Sequence, residues 1–319
     1  MELLGRYAMT TEFSNKDAGS CRWCFATCDG QEYFIKEFLE PKYPENDTES
    51  SAEKRAKKIQ KCRIFEDKKT KICRTVNEHS DENTVYIAEF FRVGSKYYVA
   101  MPRVKAINID IVELSKYPAG IKREICASIA HSVGKLHEGR FVHSDIKHSN
   151  ILFEFSPTKK LVPKLIDYDA GFLETAPPTH PEEIAGDQVY FSPEAWKAMM
   201  GENAKLTCKM DVFALGILFH QYFTGKVPKY DDGKFSCAGE AVAQGGTLEV
   251  SKDMPVDLRL IISRMLLQNP MERPSLHEVH SILMMDVVPP PPPPPPKPPV
   301  NPIQGDSPGR GMWHSLGDL

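Results

Sequence analysis

Residues 143–150 read His-Ser-Asp-Ile-Lys-His-Ser-Asn, and a second acidic stretch, Lys164-Leu-Ile-Asp167-Tyr-Asp-Ala-Gly171, begins shortly afterwards. Asp167 lies seventeen residues beyond Asn150. These side-chain types serve proton transfer and the binding of hard cations: carboxylates, a carboxamide, a lysine and a histidine. Alone, so short a string could arise by chance. Its weight depends on what else the chain places around it.

In order, His143, Asp145, Lys147, Asn150 and Asp167 resemble the eukaryotic-like protein kinase family. The catalytic loop of that family reads H-R-D-L-x-x-x-N and its metal-binding motif D-F-G. Further matches follow in family order. Phe34-Ile35-Lys36 is similar to the V-A-I-K strand, and Tyr190-Phe-Ser-Pro193-Glu194 to the A-P-E element. Asp211 opens DVFALGILFHQYFTG, which resembles the central buried helix of the larger lobe. Arg273 in NPMERPS resembles the arginine that pairs with the Glu194-type carboxylate. The resemblance runs from about residue 12 to residue 284.

This resemblance implies ATP-dependent phosphoryl transfer to serine or threonine side chains of protein substrates, with ATP and Mg²⁺ as cofactors. It implies Asp145 as acceptor of the hydroxyl proton and Lys147 as the cation near the transferring oxygens. Asn150 and Asp167 become the metal ligands, and Lys36 the contact to the α- and β-phosphates. Lysine two residues after Asp145 is the serine/threonine pattern. Tyr97–Val104 reads as a strand entering the lobe connection, which makes Met101 the gatekeeper. Pro102 then offers its carbonyl, and Val104 its amide, to the adenine.

Three departures matter. In place of a G-x-G-x-x-G loop there is only Gly19, within Asn15-Lys-Asp-Ala-Gly19-Ser20. Asp167-Tyr168-Asp169 replaces D-F-G, keeping the aromatic ring and losing the glycine, and Asp187 stands where threonine is usual. Asp187 could still accept a bond from Lys147. The glutamate expected to pair with Lys36 is Glu66, with Glu53 as the fallback. These departures leave a second reading open: a pseudokinase acting as a nucleotide-responsive binding module. A small-molecule phosphotransferase is a third, which the Ser-Pro-Glu, Asp211 and Arg273 elements oppose.

The elements that must position these residues are legible in outline. Residues 20–27 and 32–39 are apolar-aromatic runs around Asp29-Gly30, a hairpin signal. Residues 50–76 read as a lysine-rich amphipathic helix with one possible break, with apolar positions at Ile59, Cys62, Phe65, Ile72, Cys73 and Val76. Residues 84–92 and 96–104 read as two more strands. Then the period changes. Ile121, Ile125, Ile129, Val133 and Leu136 mark a core-facing helix, and others are expected over Met210–Phe223, Leu258–Leu267 and Leu276–Met284. The expected fold is α+β and bilobal: a small strand-rich N-lobe over 1–103, a larger helical C-lobe over 104–286, and a proline-rich disordered tail over 287–319. Pro289–Pro296 is unbroken proline, which suits polyproline II and a proline-binding partner, or else a plain spacer. A proline-rich segment after a compact kinase would suit a bacterial member.

Composition agrees with an ordinary folded domain. Of 319 residues, 41% are hydrophobic and 26% charged, enough apolar chain for a large core. A net charge of −3 gives no reason to expect nucleic acid, and no apolar run suits a membrane span. The first residues do not read as a secretion signal, so a cytoplasmic location is expected, with the eight cysteines as reduced thiols. Cys21, Cys24 and Cys28 lack a partner set of clean spacing and are expected to pack rather than bind metal.

Overall fold

In the computed structural model the protein is described over residues 2–16, 19, 21–45 and 50–285. The readings made for Asp17, Ala18, Ser20 and the proline-rich tail from 287 onward fall outside these residues. The first part of the chain is a six-stranded antiparallel sheet. Its strands are β1 (Leu3–Leu4), β2 (Tyr7–Met9), β3 (Cys21–Cys28), β4 (Gln31–Phe38), β5 (Glu89–Val93) and β6 (Lys96–Pro102), in the order β1-β2-β3-β4-β6-β5.

Asp29 and Gly30 both take positive φ, 50° and 77°, the pairing a two-residue hairpin turn requires between right-twisted strands. That turn sets the register Trp23↔Lys36, and β6 continues it with Lys36↔Val99 and Phe34↔Met101. Because side chains alternate along a strand, Phe34, Lys36 and Phe38 share the face that looks into the molecule. Helix α1 (Ala52–Glu78) is one unbroken helix of 27 residues, capped by Ser51, whose hydroxyl accepts from Lys54 N. Its buried stripe is Cys62, Lys69, Ile72 and Val76. A lysine in that stripe breaks the apolar pattern. The strand expected from residue 84 begins only at Glu89. Residues 84–88 are used otherwise: Thr84 bridges to Leu165, and the Asn77 carboxamide exchanges two hydrogen bonds with the Ile87 backbone.

The rest is helical, with two short two-stranded sheets among the helices. In order come α2 (Ile111–Ser115), α3 (Ala119–Glu138), β7 (Phe141–Val142), β8 (Ile151–Phe155), β9 (Leu161–Leu165) and β10 (Phe172–Leu173). Then follow α4 (Pro193–Met199), α5 (Lys209–Thr224), α6 (Ala238–Ala243), α7 (Val256–Met265) and α8 (Leu276–Met284). Helix α5 is buried at every position from Met210 to Tyr222, as a helix apolar all round must be, and the others pack about it. Ile125, Ile129, Val133 and Leu136 of α3 join this core. Ile121, expected with them, lies in the first turn and is 40% exposed. The expected division into a strand-rich part and a larger helical part is present. Among the described residues no helix is long and apolar enough to cross a membrane.

Candidate functional site

Helix α5 fixes the 143–150 loop from below. Asp211 is buried, and one of its carboxylate oxygens accepts from His143 N at 2.8 Å and from His137 Nε2 at 2.9 Å. The other accepts from Ser144 N at 2.9 Å. Three donors satisfy a charge that burial would otherwise make costly. They also hold Ser144 in the left-handed region, at φ 67°. His143 is fully buried, and its Nε2–H donates to the Ile166 carbonyl at 3.1 Å, since a carbonyl can only accept.

This turn presents Asp145 beside its neighbours. Lys147 Nζ lies 2.9 Å from Asp145 Oδ2, and Asn150 Nδ2 donates to the same oxygen at 2.9 Å. Asp145 Oδ1 accepts from Asp187 N at 2.9 Å. Both oxygens of the carboxylate are therefore oriented before any ligand arrives. Asp187 does not meet Lys147 as expected: its carboxylate caps its own turn, accepting from Val189 N at 3.0 Å, and only its amide reaches the site. Ile166 N donates to Asn150 O at 3.0 Å, which brings the 167–169 stretch alongside the loop.

Asp167 takes φ 65°, while Asp169 stays out of the left-handed region and needs no glycine. Tyr168 keeps the aromatic anchor. Its hydroxyl bonds the carbonyls of Val85 and Leu165, each at 2.9 Å, and its ring meets Phe141 and His143 edge-on. Full burial raises its pKa well above the usual phenol value.

Lys36 reaches across from β4. Its Nζ lies 3.0 Å from both Asp167 oxygens and 2.6 Å from Asp169 Oδ2. Burial works against its charge, but Asp169 and Asp167 more than offset that and hold the ammonium above the ordinary lysine range. Asp169 also faces Lys69 of α1, Nζ to Oδ1 at 2.6 Å. Desolvation alone would favour its protonated form; Lys69 and Lys36 outweigh this and hold its carboxyl well below the usual range.

The expectation that Glu66 pairs with Lys36 is corrected here. The inward stripe of α1 turns Lys69 toward Lys36 and Asp169, and Glu66 accepts instead from the Tyr97 hydroxyl of β6, at 2.7 Å. The fallback, Glu53, lies in the exposed first turn, bridged to Lys57. Lys69 and Asp169 are the members of the site that the sequence reading missed. The signal was present: Lys69 stands four residues after Phe65 and three before Ile72, inside the apolar stripe.

Met101 is buried and lines a small cavity of about 20 Å³ together with Lys36, Lys69, Ile72, Val99 and Tyr168. Pro102 ends β6 opposite Tyr33, and Val104 packs against the main core just beyond it. Gly19 takes φ 56° and lines a groove with Asn15, Cys21, Arg22, Glu37 and Lys96. Glu37 adjoins Lys36 on β4 and so faces the opposite side of the sheet. Cys21 and Cys73 lie near the ion pairs, but burial lifts each thiol to about 11, so neither offers a thiolate. All eight cysteines are free.

The donor set fits a hard divalent cation. Asp167 and Asn150 supply oxygen, and no soft ligand intrudes. Among the described residues no group of three or more histidine, cysteine or acidic side chains forms a closed metal cage. Mg²⁺ does not need one, because it usually takes one or two carboxylates and completes its shell with phosphate oxygens and water.

Comparison with known proteins gives the same picture. The family model described as "Protein kinase domain" matches residues 20–284. The Aurora kinase of Schizosaccharomyces pombe is 28% identical over 208 residues, which cover 65% of this chain and 52% of that protein. Protein kinase kin1 of the same organism is 25% identical over 288 residues, 87% of this chain and 30% of its own. Serine/threonine-protein kinase A of Synechocystis is 27% identical over 164 residues, 48% of this chain and 30% of its own. The chain thus spans about half the length of the first and under a third of the other two.

Proposed function

We propose that this chain, which belongs to the protein kinase domain family, transfers the γ-phosphoryl group of ATP to serine or threonine side chains of protein substrates. The observation that carries this reading is the setting of Asp145. Its carboxylate is held by Asn150, Lys147 and the Asp187 amide, one loop away from Asp167 and Lys36.

In this reading Asp145 orients the substrate hydroxyl and takes its proton as the oxygen attacks phosphorus. Lys147 neutralises charge on the transferring oxygens, and Lys36 holds the α- and β-phosphates. Asp167 and Asn150 would hold Mg²⁺, which would supply charge neutralisation across the phosphates. Met101 bounds the adenine pocket, and the Pro102 carbonyl and Val104 amide meet the base. The N-lobe over 1–103 carries Lys36, Met101 and Pro102, and the C-lobe over 104–286 carries Val104, the metal-binding residues and the substrate contacts. Lys147 and the relatives named serine/threonine kinases support hydroxyls of serine and threonine over tyrosine. A pseudokinase finds less support, because Lys36, Asp145, Asn150 and Asp167 are all present and within one cluster. The proline-rich tail suits a partner that binds polyproline, and the free thiols suit a cytoplasmic location.

The test is transfer of radiolabelled phosphate from ATP with Mg²⁺ to peptides bearing a single serine, threonine or tyrosine. Wild type is expected to label serine and threonine peptides. Asp145→Asn is expected to fold and bind nucleotide while losing about 10²- to 10⁴-fold in rate. Equal rates for the two proteins would remove Asp145 from the chemistry, and an inactive wild type that still binds nucleotide would favour the binding-module reading.

A further inference from the structure

Protein kinases need the strand lysine held by a carboxylate, and that carboxylate ordinarily comes from the helix beside the sheet. In this chain the helix offers a cation instead. Lys69 sits in the buried stripe of α1, its side chain 8% exposed. Its ammonium lies 2.6 Å from Asp169 Oδ1, and the other Asp169 oxygen lies 2.6 Å from Lys36 Nζ. We infer that Asp169 is the positioning carboxylate for Lys36 and that Lys69 positions Asp169. The tie between helix and strand lysine then runs through the metal-binding loop, with a cation on the helix.

Four observations bear on this, given the kinase reading above. A buried ammonium is not tolerated without a counter-charge, and the counter-charge Lys69 has is Asp169. The Lys69 stem is fixed as well, since its Nζ stands 4.5 Å from the centre of the Phe38 ring. Glu66, which could have served, is committed to Tyr97. Finally, Lys36 touches both Asp167 and Asp169, and these two carboxylates have different futures. Asp167 would hold a metal ion, and would then share or release the lysine. Asp169 stays on Lys36 and keeps it aimed, with Lys69 balancing the extra negative charge. A glycine at 169, as the family pattern has, would leave two lysines facing each other.

The experiment is a double-mutant cycle in the full chain with Lys69→Met and Asp169→Asn, and with Asp169→Glu as the conservative variant. The readouts are the dissociation constant of ADP with Mg²⁺, KM for ATP, kcat on a serine peptide, and melting temperature without nucleotide. Each single variant is expected to lower kcat/KM for ATP by about 10- to 100-fold, with KM raised and peptide KM unchanged. The pair together should fall within about threefold of Asp169→Asn alone, because Lys69 acts through Asp169. Asp169→Glu should recover most of the loss. Independent, multiplying effects overturn the inference, as does Asp169→Asn within about twofold of wild type. A loss in kcat alone that tracks a lower melting temperature, with nucleotide affinity intact, also overturns it, since that marks a structural role. If Asp169→Asn does not fold, Lys69→Glu with Asp169→Gly returns the carboxylate to the helix. That variant should come within about tenfold of wild type, and activity no better than Asp169→Gly alone overturns the inference. Nucleotide affinity separates this question from the choice of acceptor. A wild type that binds ADP and Mg²⁺ but phosphorylates no peptide speaks against the proposed function, and the coupling is still read in the dissociation constants.

Discussion

Arg273 and Glu194 meet fork to fork, Nη1 2.6 Å from Oε1 and Nη2 2.8 Å from Oε2, with the guanidinium wholly removed from solvent. The remaining donors are used too, on the carbonyls of Leu267, Gln268 and Lys209. The pair joins the start of α4 to the turn before α8. Arg273→Ala leaves Glu194 buried and unpaired, and is expected to cost about 3–5 kcal/mol of stability. Arg273→Lys should cost nearly as much, because an ammonium cannot satisfy both carboxylate oxygens and three carbonyls. Urea denaturation measures both, and a loss below about 1 kcal/mol would show the pair to be dispensable.

The segment that follows Asp169 is fastened to the 143–150 loop by its own hydrogen bonds. Ser144 Oγ bonds the Ala185 carbonyl at 3.2 Å, and Asp187 N bonds Asp145. Gly186 between them takes φ 133°, and a Cβ there would lie 2.6 Å from Ser144 O. Phosphatase-treated enzyme and a Thr175→Ala/Thr179→Ala variant are therefore expected to match the untreated wild type in initial rate. Gly186→Ala should lose activity, because it forces the segment off Asp145. A large fall after phosphatase treatment would mean that a phosphate does hold this segment.

Acid should destabilise the fold through His220. Its Nδ1 faces the Lys226 carbonyl at 2.7 Å and must carry the proton, and its Nε2 accepts from Ser251 N at 3.1 Å. A protonated ring cannot accept that bond. Burial lowers its pKa below the usual 6.5, against a smaller opposing effect of Lys226 O. The unfolded chain therefore takes up the proton first as pH falls. The stability is fully present above about pH 6.5 and is lost as pH drops from there toward the folded pKa. Melting temperature measured between pH 8 and pH 5 should fall more for wild type than for His220→Gln. Parallel curves would exclude this group as the cause.

Residues Met1–Val287 form a compact unit by themselves. A chain ending at residue 287 is expected to keep its melting temperature and its kcat on a short peptide. Loss of either would show that the proline-rich region contributes to the folded domain.

The order of strands and helices was readable because each rests on local patterns: Asp29-Gly30 for the hairpin, the period of Ile125 to Leu136 for α3, unbroken apolarity for α5. The Asp145, Lys147, Asn150 and Asp167 cluster was readable because its spacing is short and its order fixed. What could not be read is the choice among charges that meet only in three dimensions. Lys36 and Asp167 stand 131 positions apart, and Lys69 and Asp169 stand 100. Glu66 and Lys69 lie within one turn of the same helix. Only the docking angle of α1 on the sheet decides which of them looks at Lys36.

The grip of Asp211 on the amides of His143 and Ser144 also sets a timescale. An amide proton bonded to a buried carboxylate exchanges with water only when the element carrying that carboxylate opens. Here that element is α5, the most enclosed helix of the molecule, whose opening approaches global unfolding. The amides of His143 and Ser144 are therefore expected among the slow-exchanging ones of the protein. Lys36, by contrast, is carried by β4 of the sheet and meets this part of the chain through Asp167 and Asp169.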